Sequence, residues 1–196
     1  MYWHRNTHGQ TGEYDWKDKD PITKNDTQHA HPVKAVRPGA QFKGRVRFVN
    51  LSTIELGALL FSLDLPDGCC HKVGLGKPYG LGSIAIQTDL VLVDRPKRYS
   101  KLFDVENWFL SEEKAGSSID TYKKKFERFI LSSIGEDNLT SLWDNKRMKE
   151  LRAMLSFNGC DSDAWLEKTK YLQVGSDEYR NRNVLPKPSE VRDSSK

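Results

Sequence analysis

The chain has 196 residues, a formal net charge of +4 at pH 7, 37% hydrophobic and 30% charged residues. That length predicts one domain with appendages, and five Trp, eight Phe and seven Tyr supply the mass of a core. The composition excludes collagen and a coiled-coil rod. No apolar run approaches the roughly 20 residues that span a bilayer, so no membrane is expected.

Residues 1–41 are polar and interrupted by Gly9, Gly12, Pro21, Pro32, Pro38 and Gly39, which predicts a loop-rich arm. Next, Phe42, Gly44, Val46 and Phe48 alternate with Lys43, Arg45 and Arg47, the period of a strand with one apolar and one cationic face. Ser52 and Glu55 have the spacing of a capping box. Leu56, Leu59, Leu60 and Leu63 follow at helical spacing, and Pro66-Asp67-Gly68 ends that helix. A glycine-rich segment leads into the β-branched run Ile84 to Val93, read as a second strand closed by Asp94-Arg95-Pro96. Residues 42–94 thus read as a compact unit of strand, helix, glycine loop and strand.

Beyond it, Arg95, Lys97, Arg98 and Lys101 form a short basic run. Ile119, Tyr122, Phe126, Phe129 and Ile130 mark one helix, with Lys123, Lys124 and Lys125 on its wet side. Leu139, Leu142, Trp143, Leu151, Met154 and Leu155 mark another. Residues 171–188 read as extended, so 95–188 is a helical extension with an extended end. Residues 189–196 read as a disordered tail.

The most informative segment is His71-Lys72-Val73-Gly74-Leu75-Gly76-Lys77-Pro78-Tyr79-Gly80-Leu81-Gly82-Ser83. Glycines allow positive φ and close approach of another backbone. A loop of this kind can turn N–H groups toward phosphate oxygens, while lysines add charge and an aromatic can stack on a base. It is not a P-loop, because Pro78 follows Lys77, and it is not a dinucleotide fingerprint, because Tyr79 stands where the third glycine would fall. It also follows a helix and precedes a strand, the reverse of both motifs. A sugar-phosphate backbone suits it better than a compact nucleotide; a glycine connection shaped only by packing is the plain alternative. Lys34, Arg37, Lys43, Arg45 and Arg47 add five positive charges over residues 34–47 with no acid between them. That is the field a nucleic-acid backbone requires, though a solvated strand face has the same composition.

Other groupings are less specific. Cys69, Cys70 and Cys160 form no disulfide framework, which fits a reducing cytoplasm. Cys69, Cys70 and His71 lack the paired spacing of a zinc site, and no metal or other cofactor is expected. His71 could serve as acid or base in RNA cleavage, but no second histidine is spaced to assist it. His4, His8, His29 and His31 match no ligand template. Trp3 and Trp16 could stack on bases; an aromatic in an arm more often pins that arm to the core. Ser132 and Ser133 lack a nucleophile elbow.

The block Phe42 to Ser52, the helix Glu55 to Leu60 and the loop His71 to Ser83 resemble the RAMP superfamily of CRISPR-associated proteins. The closer resemblance is to type III backbone subunits and multi-RAMP fusions. Tyr2-Trp3-His4, Arg98-Tyr99-Ser100-Lys101-Leu102-Phe103 and Glu178 to Pro186 extend it. The resemblance implies an α+β, ferredoxin-like (RRM-related) fold. It also implies a structural subunit packed along a guide RNA with an RNA target, beside other RAMP subunits. By position it assigns RNA contact to His71, Lys72, Gly74, Gly76, Lys77, Tyr79, Gly80, Gly82 and Ser83, with Lys43, Arg45 and Arg47 widening the cationic track. A full RAMP domain has two βαβ halves, and only one is legible here, so a partner supplying the N-terminal half is expected. The family's target-cleaving Asp belongs to the other half, and Asp15, Asp18, Asp20 and Asp26 match no motif, so no catalytic residue is assigned. An endoribonuclease and a protein-interaction module without RNA remain the alternatives. A half domain exposes apolar surface, which predicts poor solubility or self-association.

Overall fold

The computed structural model of the chain describes residues 2–6, 36–101, 112–169 and 185–193. It has mixed helix and small antiparallel sheets, an α+β composition. In order these are α1 (Thr53–Leu63), β1 (His71–Lys72), β2 (Ser83–Ile84), β3 (Val91–Val93), α2 (Arg95–Ser100), β4 (Glu112–Lys114), α3 (Ile119–Ser133), α4 (Lys146–Leu155), α5 (Asp163–Lys168) and α6 (Pro188–Asp193). β1 pairs antiparallel with β2, and β3 with β4. The chain divides into two compact units.

One unit comprises Phe48–Asp67 and the described part of Ala85–Lys149. Asn50, at φ +58, turns the chain into α1. Ser52 Oγ accepts the Glu55 N–H at 3.3 Å and the Glu55 carboxylate accepts the Ser52 N–H at 2.7 Å, completing the expected capping box. The Ser52 backbone N–H first, and the Ser52 hydroxyl next, hold the Glu55 carboxyl below its ordinary range. Leu56 and Leu60 bury with Leu90, and Phe48, Ile119 and Tyr122 pack on them. Phe61 buries with Leu131 and Leu142 and stacks on Trp143 at 5.0 Å between ring centroids. Gly57 lets α1 and α3 approach: a Cβ there would stand 2.3 Å from the Tyr122 carbonyl oxygen. Lys123 Nζ pairs with the Asp64 carboxylate at 2.7 Å on the same face. Glu127 anchors the next turn by accepting from the Ser141 hydroxyl and the Leu142 N–H.

The other unit comprises Gly68–Ile84 and the described parts of Met1–Arg47 and Glu150–Lys196. Trp165, Cys160 and Val191 form its buried core, with Trp3 packed edge-on against Trp165 at 5.3 Å. The Arg192 guanidinium lies 4.1 Å over the Trp165 ring. It donates to the carbonyls of Ala153, Ser156 and Asn158, so one planar cation ties α6 to the turn after α4.

Three sequence expectations are corrected. Residues 42–48 take no regular secondary structure and stay outside both ladders, because no described strand offers them partners. The run Ile84 to Val93 is not one strand: Ser83–Ile84 and Val91–Val93 belong to different sheets, separated by irregular residues that include polar Gln87, Thr88 and Asp89. Residues 189–193, expected as tail, lie in the helix Pro188–Asp193, since Val191 reaches the apolar core and Arg192 finds its carbonyls. The basic run at 95–101 also gains structure: Asp94 caps α2 by accepting from Lys97 N–H at 3.1 Å. Most of the extended segment expected at 171–188 lies outside the described residues, as do His8, Trp16, His29, His31 and Lys34.

Candidate nucleic-acid interface

The glycine segment folds as a hairpin loop between β1 and β2. Val73 N–H donates to the Gly82 carbonyl at 2.9 Å, adding one more rung to the two-residue ladder. Within the loop, Leu81 N–H donates to Gly76 C=O at 3.1 Å and Gly80 N–H to Lys77 C=O at 3.0 Å, closing a short 3₁₀ turn over Lys77–Tyr79. Pro78 fixes φ inside that turn and Gly80, at φ +85, ends it.

The glycines serve different needs. A Cβ on Gly82 would sit 1.8 Å from the Val73 carbonyl oxygen, so the ladder itself forbids a side chain there. A Cβ on Gly76 would meet Leu81 Cδ1 at 2.7 Å. Gly80 faces the Arg5 side chain at 2.8 Å. Gly74, at φ +88, has nothing within 4 Å of its would-be Cβ. Next to it Leu75 is 100% exposed. Packing within the hairpin accounts for Gly76 and Gly82, and packing on Arg5 for Gly80, whereas the Gly74–Leu75 tip is open.

The two loop lysines have distinct environments. Lys72 turns inward: its Nζ donates to Gly80 C=O at 2.5 Å, Leu81 C=O at 3.1 Å and Ser83 Oγ at 3.2 Å. Its three protons are therefore spent on fixing the loop, and burial pushes its pKa down to about 8. Lys77 is half-buried at the tip, with its Nζ 5.5 Å from the centroid of the Tyr2 ring. His71 is half-buried in β1. Stacking by the Tyr79 side chain lies outside the described side chains. Lys43, Arg45 and Arg47 are all exposed.

His4 is the residue that sequence reading left in the arm and the structure places under the hairpin. It is 0% exposed. Its Nε2 lies 3.0 Å from the Cys70 carbonyl and its Nδ1 2.8 Å from Ser83 Oγ. A carbonyl can only accept, so Nε2 carries the proton and Nδ1 receives the Ser83 hydroxyl. Lys72, Ser83, His4 and the Cys70 carbonyl then form one directed chain of hydrogen bonds. Burial first, and the Lys72 and Arg192 cations next, hold the His4 pKa down to about 4. Trp165 Nε1–H donates to the His4 carbonyl at 2.8 Å and Asn6 N–H to Cys160 C=O at 2.8 Å. The strap 2–6 is thus fixed from several sides. The signal that could have found it is Tyr2-Trp3-His4, three ring residues inside an otherwise polar stretch.

Cys69 and Cys70 are half-buried and Cys160 is buried, and burial raises all three thiols above their ordinary pKa. Such thiols are inert at neutral pH. Among the described residues no group of three His, Cys, Asp or Glu side chains is placed to hold a metal ion. Nor is any described helix long and apolar enough to cross a membrane. No family profile, curated protein or solved structure matches the chain.

Proposed function

We propose that this chain is an RNA-binding structural subunit of a RAMP-type CRISPR ribonucleoprotein, acting in the cytoplasm. The observation that carries the reading is the hairpin His71–Ile84, whose inner side is fixed by Lys72 and whose outer side presents Gly74, Leu75 and Lys77. A fixed loop loses little entropy on binding, and an open glycine lets a sugar-phosphate backbone approach closely. Lys77 supplies phosphate charge at the tip, and Lys43, Arg45 and Arg47 add to the surrounding positive field. In this reading Gly76, Gly80, Gly82, Lys72 and Ser83 shape the loop. His71 stands at its base beside the RNA path, and Tyr79 stacks.

The fold we assign to the RNA-bound assembly is ferredoxin-like, completed by a second half from a neighbouring RAMP subunit. Guide RNA and its RNA target are the ligands, and the chain itself holds no assigned catalytic group. Photo-crosslinking of a 4-thiouridine guide-repeat RNA to the intact chain tests the reading. Crosslinks concentrated on residues 73–77 are the expected result. Crosslinks spread over α3 and α4, or none, would reject the hairpin as the contact.

A further inference from the structure

Residues 42–49 have the side-chain pattern of a strand but no sheet. The run alternates Phe42, Gly44, Val46 and Phe48 with Lys43, Arg45 and Arg47, which puts apolar and cationic side chains on opposite faces of an extended chain. Among the described residues none hydrogen-bonds to it. Phe42 is 81% and Val46 62% exposed, whereas Phe48 packs against the Leu56, Leu60 and Leu90 cluster. Among the described residues, then, residues 42–47 have both backbone edges unpaired and Phe42 and Val46 uncovered.

Charge decides what covers it. In a second copy paired antiparallel about Arg45, Arg45 would face Arg45 and Lys43 would face Arg47. Shifting the register by two residues, which keeps the faces aligned, sets Arg45 against Arg47 or Lys43. A parallel in-register pair aligns every cation with itself. Each arrangement places like charges directly opposite, which destabilises a ladder. RNA would cover only the cationic face and leave Phe42 and Val46 in water. A strand with carboxylates opposite Lys43, Arg45 and Arg47 and apolar side chains on its other face satisfies charge, apolar surface and backbone together. We infer that residues 42–49 are completed by an edge strand of a different protein chain, one alternating acidic and apolar residues, added as a β-ladder.

The test uses the full chain and a fluorescent heptapeptide alternating Glu and Val, without RNA, so failure of the RNA reading leaves its result unmoved. Saturable binding is expected, with new amide protection confined to residues 43–48. Alternate N-methylation of the peptide and Val46→Pro each remove ladder donors and are expected to weaken binding about tenfold or more. Arg45→Glu, which leaves the backbone intact, is expected to weaken that peptide and favour one alternating Lys and Val. Three results would overturn the inference. One is equal affinity for a peptide with its Glu and Val in two blocks. The second is slow exchange at 43–48 in the dilute chain alone, which means pairing within the chain. The third is protection of 43–48 by an oligouridylate but not by the peptide.

Discussion

His4 keeps a neutral ring because it is buried, and because two cations, Lys72 and Arg192, stand close by. The sign of the resulting pH effect follows from its lowered pKa. The unfolded ring titrates near 6.5 and the folded ring at about 4, so between those values the unfolded state holds more protons. The stabilisation is complete above pH 6.5 and is lost as pH falls toward 4, amounting to about 3 kcal/mol. Urea unfolding from pH 7 to pH 4 should show this loss in the wild type, and His4→Gln should remove that part of the slope. Equal slopes in the two proteins would place His4 outside the hairpin's support. Lys72 and Lys77 divide in the same manner. Lys72→Met strips the donors from two carbonyls and should destabilise the protein by about 2 kcal/mol. Lys77→Gln should leave stability within about 0.5 kcal/mol, because its contacts are at the surface. Gly82→Ala combines positive φ with a blocked Cβ and should cost more than about 2 kcal/mol, whereas Gly74→Ala should cost about 1, the left-handed penalty alone. Thermal melts of the pair check this difference.

At the scale of elements, α1 shows why some features were legible and others were not. Its capping box and leucine spacing are local, so residues 52–63 could be read directly from sequence. Gly57 could not be explained that way, because its reason lies on another helix, at the Tyr122 carbonyl and Phe126 Cβ. Gly57→Ala should gain about 1 kcal/mol of helix propensity and lose about 1–3 to overpacking, giving net destabilisation in chemical denaturation. Residues 42–48 mislead for the converse reason. Alternation marks what a strand needs, and only a neighbouring strand can supply the ladder. The glycine hairpin is legible as a loop, but the inward turn of Lys72 is not, because the Gly80 and Leu81 carbonyls and the Ser83 hydroxyl that take its protons are brought to it only by the hairpin's closure. α6 went unread because its anchor, Arg192 on Trp165, is a contact between distant parts of the chain.

For the whole molecule, the net charge of +4 conceals a concentrated field: five cations and no acid over residues 34–47. The exposed apolar side chains Phe42, Val46 and Val49 stand among those cations. Like charge keeps copies apart at low salt, so sedimentation should show a monomer there and growing self-association as salt screens the repulsion. The central claim is that the hairpin His71–Ile84 binds an RNA backbone. Its most direct test is the affinity of the purified chain for a guide-repeat RNA across a salt series, with Lys77→Gln beside the wild type. If Lys77 meets a phosphate, log affinity should fall against log salt, and Lys77→Gln should reduce the magnitude of that slope by about 0.7. Absence of measurable RNA affinity, or a slope that Lys77→Gln leaves unchanged, would contradict the account.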